Sequence, residues 1–126
     1  MRAFKGVWFA KFARKQRISD AVLCEVVARG EAGLIDADLG GGVIKQRIAR
    51  PGSGRSGGYR IVIFFRVGTR AVFAFGFAKS DLDNISAGDE RDLKETAKLT
   101  LSFSDEEMDG LIAQGEFEEV YCHGEG

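Results

Sequence analysis

Lys45, Arg47 and Arg60 are the residues of this chain best suited to do chemistry. They stand in a 40-residue block, Gly41 to Ser80, that also holds Arg50, Arg55, Arg66, Arg70 and Lys79 and not one carboxylate. Surfaces usually mix charges, so such a block points to an anionic partner, and a polyphosphate such as RNA or DNA fits best. Cations of this kind can also cleave a phosphodiester. Attack by a ribose 2′-OH on the adjacent phosphate needs a base for the hydroxyl proton, positive charge at the phosphorane oxygens and an acid for the leaving 5′-oxygen. The base can be a lysine amine whose proton is loosened by close cations. Lys45, two residues from Arg47 on one face of an alternating segment, fits that role, and arginines supply bidentate phosphate contacts. Tyr59 and the neighbouring phenylalanines complete the set. The rival reading is a cationic sheet covered by the acidic C-terminal part of the same molecule.

That acidic part is large. Residues 1–40, 41–80 and 81–126 carry net charges of +2, +8 and −11, which the overall −1 conceals. A chain of 126 residues with 44% apolar content suits one domain with a real core. The expectation is a single domain over residues 1–126, with a core of about 1–103 and an acidic helical extension over 104–126. Cys24 and Cys122 are too few and too far apart for a disulfide scaffold, so reduced thiols in a cytoplasmic protein are expected. Cys24, in an apolar helical pattern, reads as a small core filler. Lys5 and Lys11 interrupt the N-terminal apolar residues, against a signal peptide, and no run approaches a membrane span.

The elements that must position these residues follow from periodicity. Residues 2–5 suit a short strand. Trp8/Phe12 and Phe9/Ala13, each four apart, predict a helix over about 7–15. A second helix has Ser19 as its cap, Ile18 and Leu23 at staple positions and Gly30 to close it. Residues 43–49 alternate, with Ile44 and Ile48 on one face and Lys45 and Arg47 on the other. Residues 59–66 are β-branched and aromatic: Tyr59, Ile61, Ile63 and Phe65 share a face, opposite Arg60 and Arg66. After a turn at Gly68-Thr69, residues 72–78 place Phe73, Phe75 and Phe77 on one face. A helix from Ser86 to about Leu101 follows. Then comes one opened by a Ser104/Glu107 capping box with a Phe103/Met108 staple and closed by Gly115. Residues 117–121 suit a short strand.

Other motifs are weaker. Residues 52–57 match G-x-G-x-x-G by letter, but a dinucleotide site needs a helix after the loop, and here a strand follows. A hairpin loop with Arg55 at its tip is the better reading. His123 beside Cys122 is far short of a zinc pattern, and the basic block offers magnesium no oxygen ligands. No metal or cofactor is expected. The acidic clusters read as helix N-terminal and solvated charge. No serine or cysteine has a nearby histidine for a triad.

Three ordered segments carry a resemblance: Asp36-Ala-Asp-Leu-Gly-Gly-Gly-Val-Ile-Lys-Gln-Arg-Ile-Ala-Arg, Gly54-Arg-Ser-Gly-Gly-Tyr-Arg-Ile and Gly76-Phe-Ala-Lys-Ser-Asp-Leu-Asp-Asn-Ile. Together, over about residues 4–103, the chain resembles the RelE/HigB-like toxins of type II toxin–antitoxin systems, within the RelE/ParE superfamily. The resemblance implies an α+β fold, with an N-terminal helical hairpin packed on a twisted antiparallel sheet and C-terminal helices. It implies an mRNA endonuclease, often ribosome-dependent, and with the basic block the expectation is an mRNA interferase, an endoribonuclease that cuts mRNA without a metal on translating ribosomes and inhibits translation. It also implies a cognate antitoxin, expected as a small helix-turn-helix protein. Lys45 and Arg47 fall where RelE toxins carry a basic pair. Arg60 falls in their Tyr-Arg pair, where it contacts the scissile phosphate and would stabilise the phosphorane. Lys79 falls near their basic residue after the last strand. Arg47, Arg50, Arg55, Tyr59 and Lys79 would hold RNA. The family's further tyrosine is replaced here by Asn84-Ile85, which leaves the acid unassigned. The alternatives are a ParE-like toxin that binds DNA gyrase without catalysis, or a plain nucleic-acid-binding module.

Overall fold

The computed structural model describes residues 1–50, 54–78 and 87–122. Strand β1 (Arg2–Gly6) runs straight into helix α1 (Val7–Gln16), which is followed by α2 (Asp20–Glu31). Four strands come next: β2 (Ala37–Gly40), β3 (Val43–Arg50), β4 (Gly54–Arg66) and β5 (Arg70–Ala78). Helices α3 (Ala87–Ser102) and α4 (Asp105–Ala113) and strand β6 (Phe117–Val120) complete the described chain. The fold is α+β, as expected. The six strands form one sheet in the order β2-β3-β4-β5-β1-β6, antiparallel throughout except that β1 lies parallel to β5.

Local sequence explains the helix ends. Arg17 closes α1 in the left-handed region at φ 58, and the Ile18 N–H reaches back to the Ala13 carbonyl. Ser19 caps α2 by accepting from the Val22 N–H. Gly30 does not end α2. It is buried, and a Cβ there would come within 3.1 Å of the Phe65 ring, so its bareness serves close packing against the sheet. Gly33, at φ 83, makes the left-handed turn instead. The capping box at Ser104 and Glu107 forms in both directions, and Gly115 turns the chain at φ 82 after α4.

The sheet is covered on both faces. Helices α1 and α2 pack Phe9, Ala13, Leu23 and Val26 against Ile44, Ile48, Ile61, Ile63, Phe65 and Phe73. Helices α3 and α4 pack Ala97, Leu101 and Met108 against Phe4, Val43, Val62, Phe64 and Val72 on the other. The expected common face for Phe73, Phe75 and Phe77 is not formed. Phe73 pairs with Ile63 and Phe75 with Val62, so Ala74 is an extra residue, a bulge in β5. One inserted residue inverts the alternation. Phe73 therefore joins the α1/α2 side and Phe77 the α3/α4 side.

The cysteine expectation is also overturned. Cys24 of α2 and Cys122, just past β6, form a disulfide with Cα atoms 5.6 Å apart across 98 residues of sequence. Sequence distance said nothing here, because β6 returns to the edge of β1 and brings the chain end onto α2.

Candidate functional site on the cationic face of the sheet

Lys45, Arg47 and Arg60 lie on one face of the sheet, the face that α3 and α4 cover further along. In the β3–β4 ladder Arg47 is directly opposite Arg60, Lys45 is opposite Val62, and Val43 is opposite Phe64. In the β4–β5 ladder Arg60 is opposite Phe77. Direct cross-strand neighbours have Cβ atoms about 5 Å apart, and Lys45 stands about 7 Å along β3 from Arg47. Where the buried pair Val43–Phe64 gives way to Lys45–Val62 and then Arg47–Arg60, the face changes from apolar core to cations.

The backbone that presents Arg47 is clamped. Its N–H donates to Asp36 Oδ2 at 2.7 Å, and its carbonyl accepts from Arg29 Nη2 at 2.7 Å. Gln46, fully buried, donates to the Leu34 carbonyl and accepts from the Asp36 N–H. The sequence carried no obvious mark of Asp36 and Gln46 as positioning residues. The one available signal was a glutamine at a core position of an otherwise apolar strand face, which demands hydrogen-bond partners.

The electrostatics set this trio apart. The acids of the C-terminal part pair with other cations: Glu119, Asp109 and Asp105 with Arg2, Glu118 with Lys5 and Arg14, and Asp105 with Arg70. Glu119 and Asp109 hold the Arg2 guanidinium proton more firmly than usual. Among the described residues none of the ion pairs includes Lys45, Arg47 or Arg60. The Asp36 carboxylate is committed to the Arg47 backbone and, at 3.9 Å, to Arg29. Arg60 is half-buried, and its Nε is buried with no hydrogen-bond partner.

Like charges directly opposite in a sheet destabilise by roughly 0.2–1 kcal/mol, whereas a hydrogen bond to a charged group contributes roughly 1.5–3 kcal/mol. An anion between Arg47 and Arg60 would reverse the sign of this arrangement. Beside the patch, a hollow of about 580 Å³ opens between the sheet and α3, lined by apolar residues that include Trp8, Val62, Phe75, Phe77 and Leu93, together with Asp89 and Asp92 of α3. Phe75 is partly exposed and lies edge-on to Trp8 at 5.5 Å.

Tyr59 does not join this face. Its ring is 4% exposed among the α1/α2 core residues, it packs edge-on to Phe12, and its hydroxyl donates to Gln16 Oε1 at 2.6 Å. The side chains of Arg50 and Arg55 lie outside the described set, and so do Lys79, Asn84 and Ile85 altogether. The backbone of Arg55 belongs to β4, which begins at Gly54, so Arg55 is a strand residue and not the tip of a loop. Among the described residues no three His, Cys, Asp or Glu side chains gather to hold a metal, and no helix is long and apolar enough to cross a membrane.

A family model described as the RelE toxin of the RelE/RelB toxin–antitoxin system matches residues 1–120. The match runs through α4 and β6, beyond the three segments that carry the resemblance in the sequence. No curated protein matches the chain.

Proposed function

We propose, from the premise that the chain belongs to the RelE toxin family and is the toxin of a toxin–antitoxin system, that it is an mRNA endoribonuclease acting on translating ribosomes without a metal. The observation that carries this reading is the Arg47–Arg60 cross-strand pair, with Lys45 alongside, no described acid paired to any of the three, and an unpartnered Arg60 Nε–H.

The chemistry follows from the placement. Lys45 takes the 2′-hydroxyl proton as general base. The 2′-oxygen bonds to phosphorus, and Arg60 and Arg47 neutralise the charge that grows on the non-bridging oxygens. The bond to the 5′-oxygen then breaks, leaving a 2′,3′-cyclic phosphate and a 5′-hydroxyl. The proton for the 5′-oxygen comes from outside the trio. Arg50, Arg55 and Lys79 would hold the flanking backbone, and Phe77, opposite Arg60, offers a ring for base stacking.

The test is primer extension on cellular mRNA after induction, with chemical typing of the ends. Cyclic phosphate and 5′-hydroxyl ends are expected. Intact mRNA with an early block in DNA replication would favour a gyrase-binding toxin, and 5′-phosphate ends would point to water as the nucleophile.

A further inference from the structure

The proposed nuclease site uses cations of β3 and β4 but none from α3. Arg91, Lys94 and Lys98 are the only basic residues after Lys79, in a stretch with fourteen acids. Their spacing puts all three on one stripe of the helix. That stripe faces the β2–β3 turn. With Gly41, Gly42 and Arg66, the three line a groove of about 460 Å³. Gly41 and Gly42 have left-handed backbones, at φ 64 and 84, and a Cβ on Gly41 would sit 2.9 Å from Lys94 Cγ. The Lys94 stem therefore lies flat on a turn that only glycine allows. Lys94 pairs with Glu90 at 3.2 Å, Glu95 also lines the groove, and Arg66 Nη1 donates to the Leu101 carbonyl. Arg91 and Lys98 are exposed, and no ion pair or hydrogen bond among the described residues engages them.

We infer that this groove is a second phosphate-binding surface, which takes the RNA strand flanking the scissile phosphate. The inference rests on the ribonuclease reading and extends it. The C-terminal end of α3 is held by Arg66 and Arg70 through the Leu101 and Thr100 carbonyls. Its N-terminal half lies over Val62 and Phe77, the ladder partners of Lys45 and Arg60. The stripe from Lys98 to Arg91, about 10 Å along the helix, thus runs toward the Arg47–Arg60 pair. Gly42 stands about 10 Å from Lys45 along β3. Asp89 and Asp92 line the hollow beside the cleavage site, so the groove is a separate cationic surface, and a polyanion long enough to reach both is a nucleic acid strand.

The experiment is fluorescence anisotropy with cleavage-resistant 2′-O-methyl RNA, a trinucleotide and a dodecamer, across a salt series. The Arg91→Ala/Lys98→Ala protein should bind the trinucleotide like the parent. For the dodecamer, the slope of log affinity against log salt should fall by about 1.4, the release of two contacts on a single strand. Both side chains are exposed, so the melting temperature should not move. An unchanged dodecamer slope, with Arg47→Ala still weakening both RNAs, overturns the groove and leaves the ribonuclease reading standing. Equal losses for both lengths overturn it too, as does loss of antitoxin binding with RNA binding intact. If the parent protein binds neither RNA, the ribonuclease reading fails and takes the groove with it.

Discussion

Arg47 and Arg60 occupy positions where a sheet prefers opposite charges or apolar pairs, and the unpartnered Nε of Arg60 adds a buried donor to the cost. Removing either guanidinium should therefore leave the folded state no less stable, while weakening phosphate binding. For Arg60→Ala the cleavage rate should fall about 10²–10³-fold, the usual loss of one transition-state donor. Arg60→Lys keeps the charge but loses the planar fork, and should recover only part of that. Lys45→Ala should cost about 10²–10⁴-fold, the range of a general base. Single-turnover cleavage of programmed ribosomes measures all three, and full activity in any of them would remove that residue from the mechanism. Tyr59→Phe should behave differently. It loses the bond to Gln16, about 1 kcal/mol in a denaturant melt, with RNA affinity unchanged. Alternation in residues 59–66 already put Tyr59 with Ile61, Ile63 and Phe65, opposite Arg60. The family resemblance assigned it to RNA, and the periodicity predicted its place correctly.

At the scale of elements, the bulge at Ala74 decides which side chains reach the cationic face. It turns Phe77 toward Arg60 and brings Gly76 under Phe12, where there is no room for a Cβ. Gly76→Ala should destabilise the domain by about 1–3 kcal/mol through overpacking, seen as an earlier unfolding midpoint. A midpoint equal to the parent's would mean that Phe12 can move aside at no cost. The strands β3 and β4 were legible because each alternates cleanly, and the helices because Ser19 and the Ser104/Glu107 box mark their starts. The bulge was not legible, since Ala74 looks like any small residue in a strand and its effect appears only in the pairing with β4. Strand β2 was read merely as part of a glycine-rich motif, because four residues of Ala-Asp-Leu-Gly have little strand propensity and pair only on one edge. Gly30 was misread for a related reason: a glycine needed for contact with Phe65 and one needed for a turn look the same in sequence.

At the scale of the whole molecule, the described acids of the C-terminal part pair with cations other than Lys45, Arg47 and Arg60. Strand β6 and α4 direct their acids to Arg2, Lys5, Arg14 and Arg70, while Met108 and Val120 are buried in the two cores. The acidic segment thus holds the N-terminal strand, and among the described residues none of its ion pairs includes Lys45, Arg47 or Arg60. The Cys24–Cys122 disulfide fastens the same segment to α2, on the side of the sheet away from the cationic face. Closing a loop of 98 residues removes chain entropy from the unfolded state worth about 4–5 kcal/mol in the loop-closure description. Reduction, or a Cys24→Ala/Cys122→Ala protein, should then lower the melting temperature by on the order of 10–20 °C. Cleavage and RNA affinity measured well below that temperature should be unchanged, because the bond lies with the α1/α2 core on the other side of the sheet from the cationic face. A melting curve indifferent to reductant would show that the disulfide does not form in solution. A melt that shifts together with the cleavage rate would instead show that the chain end and the cationic face are coupled, against the separation of stability and chemistry that the sheet imposes.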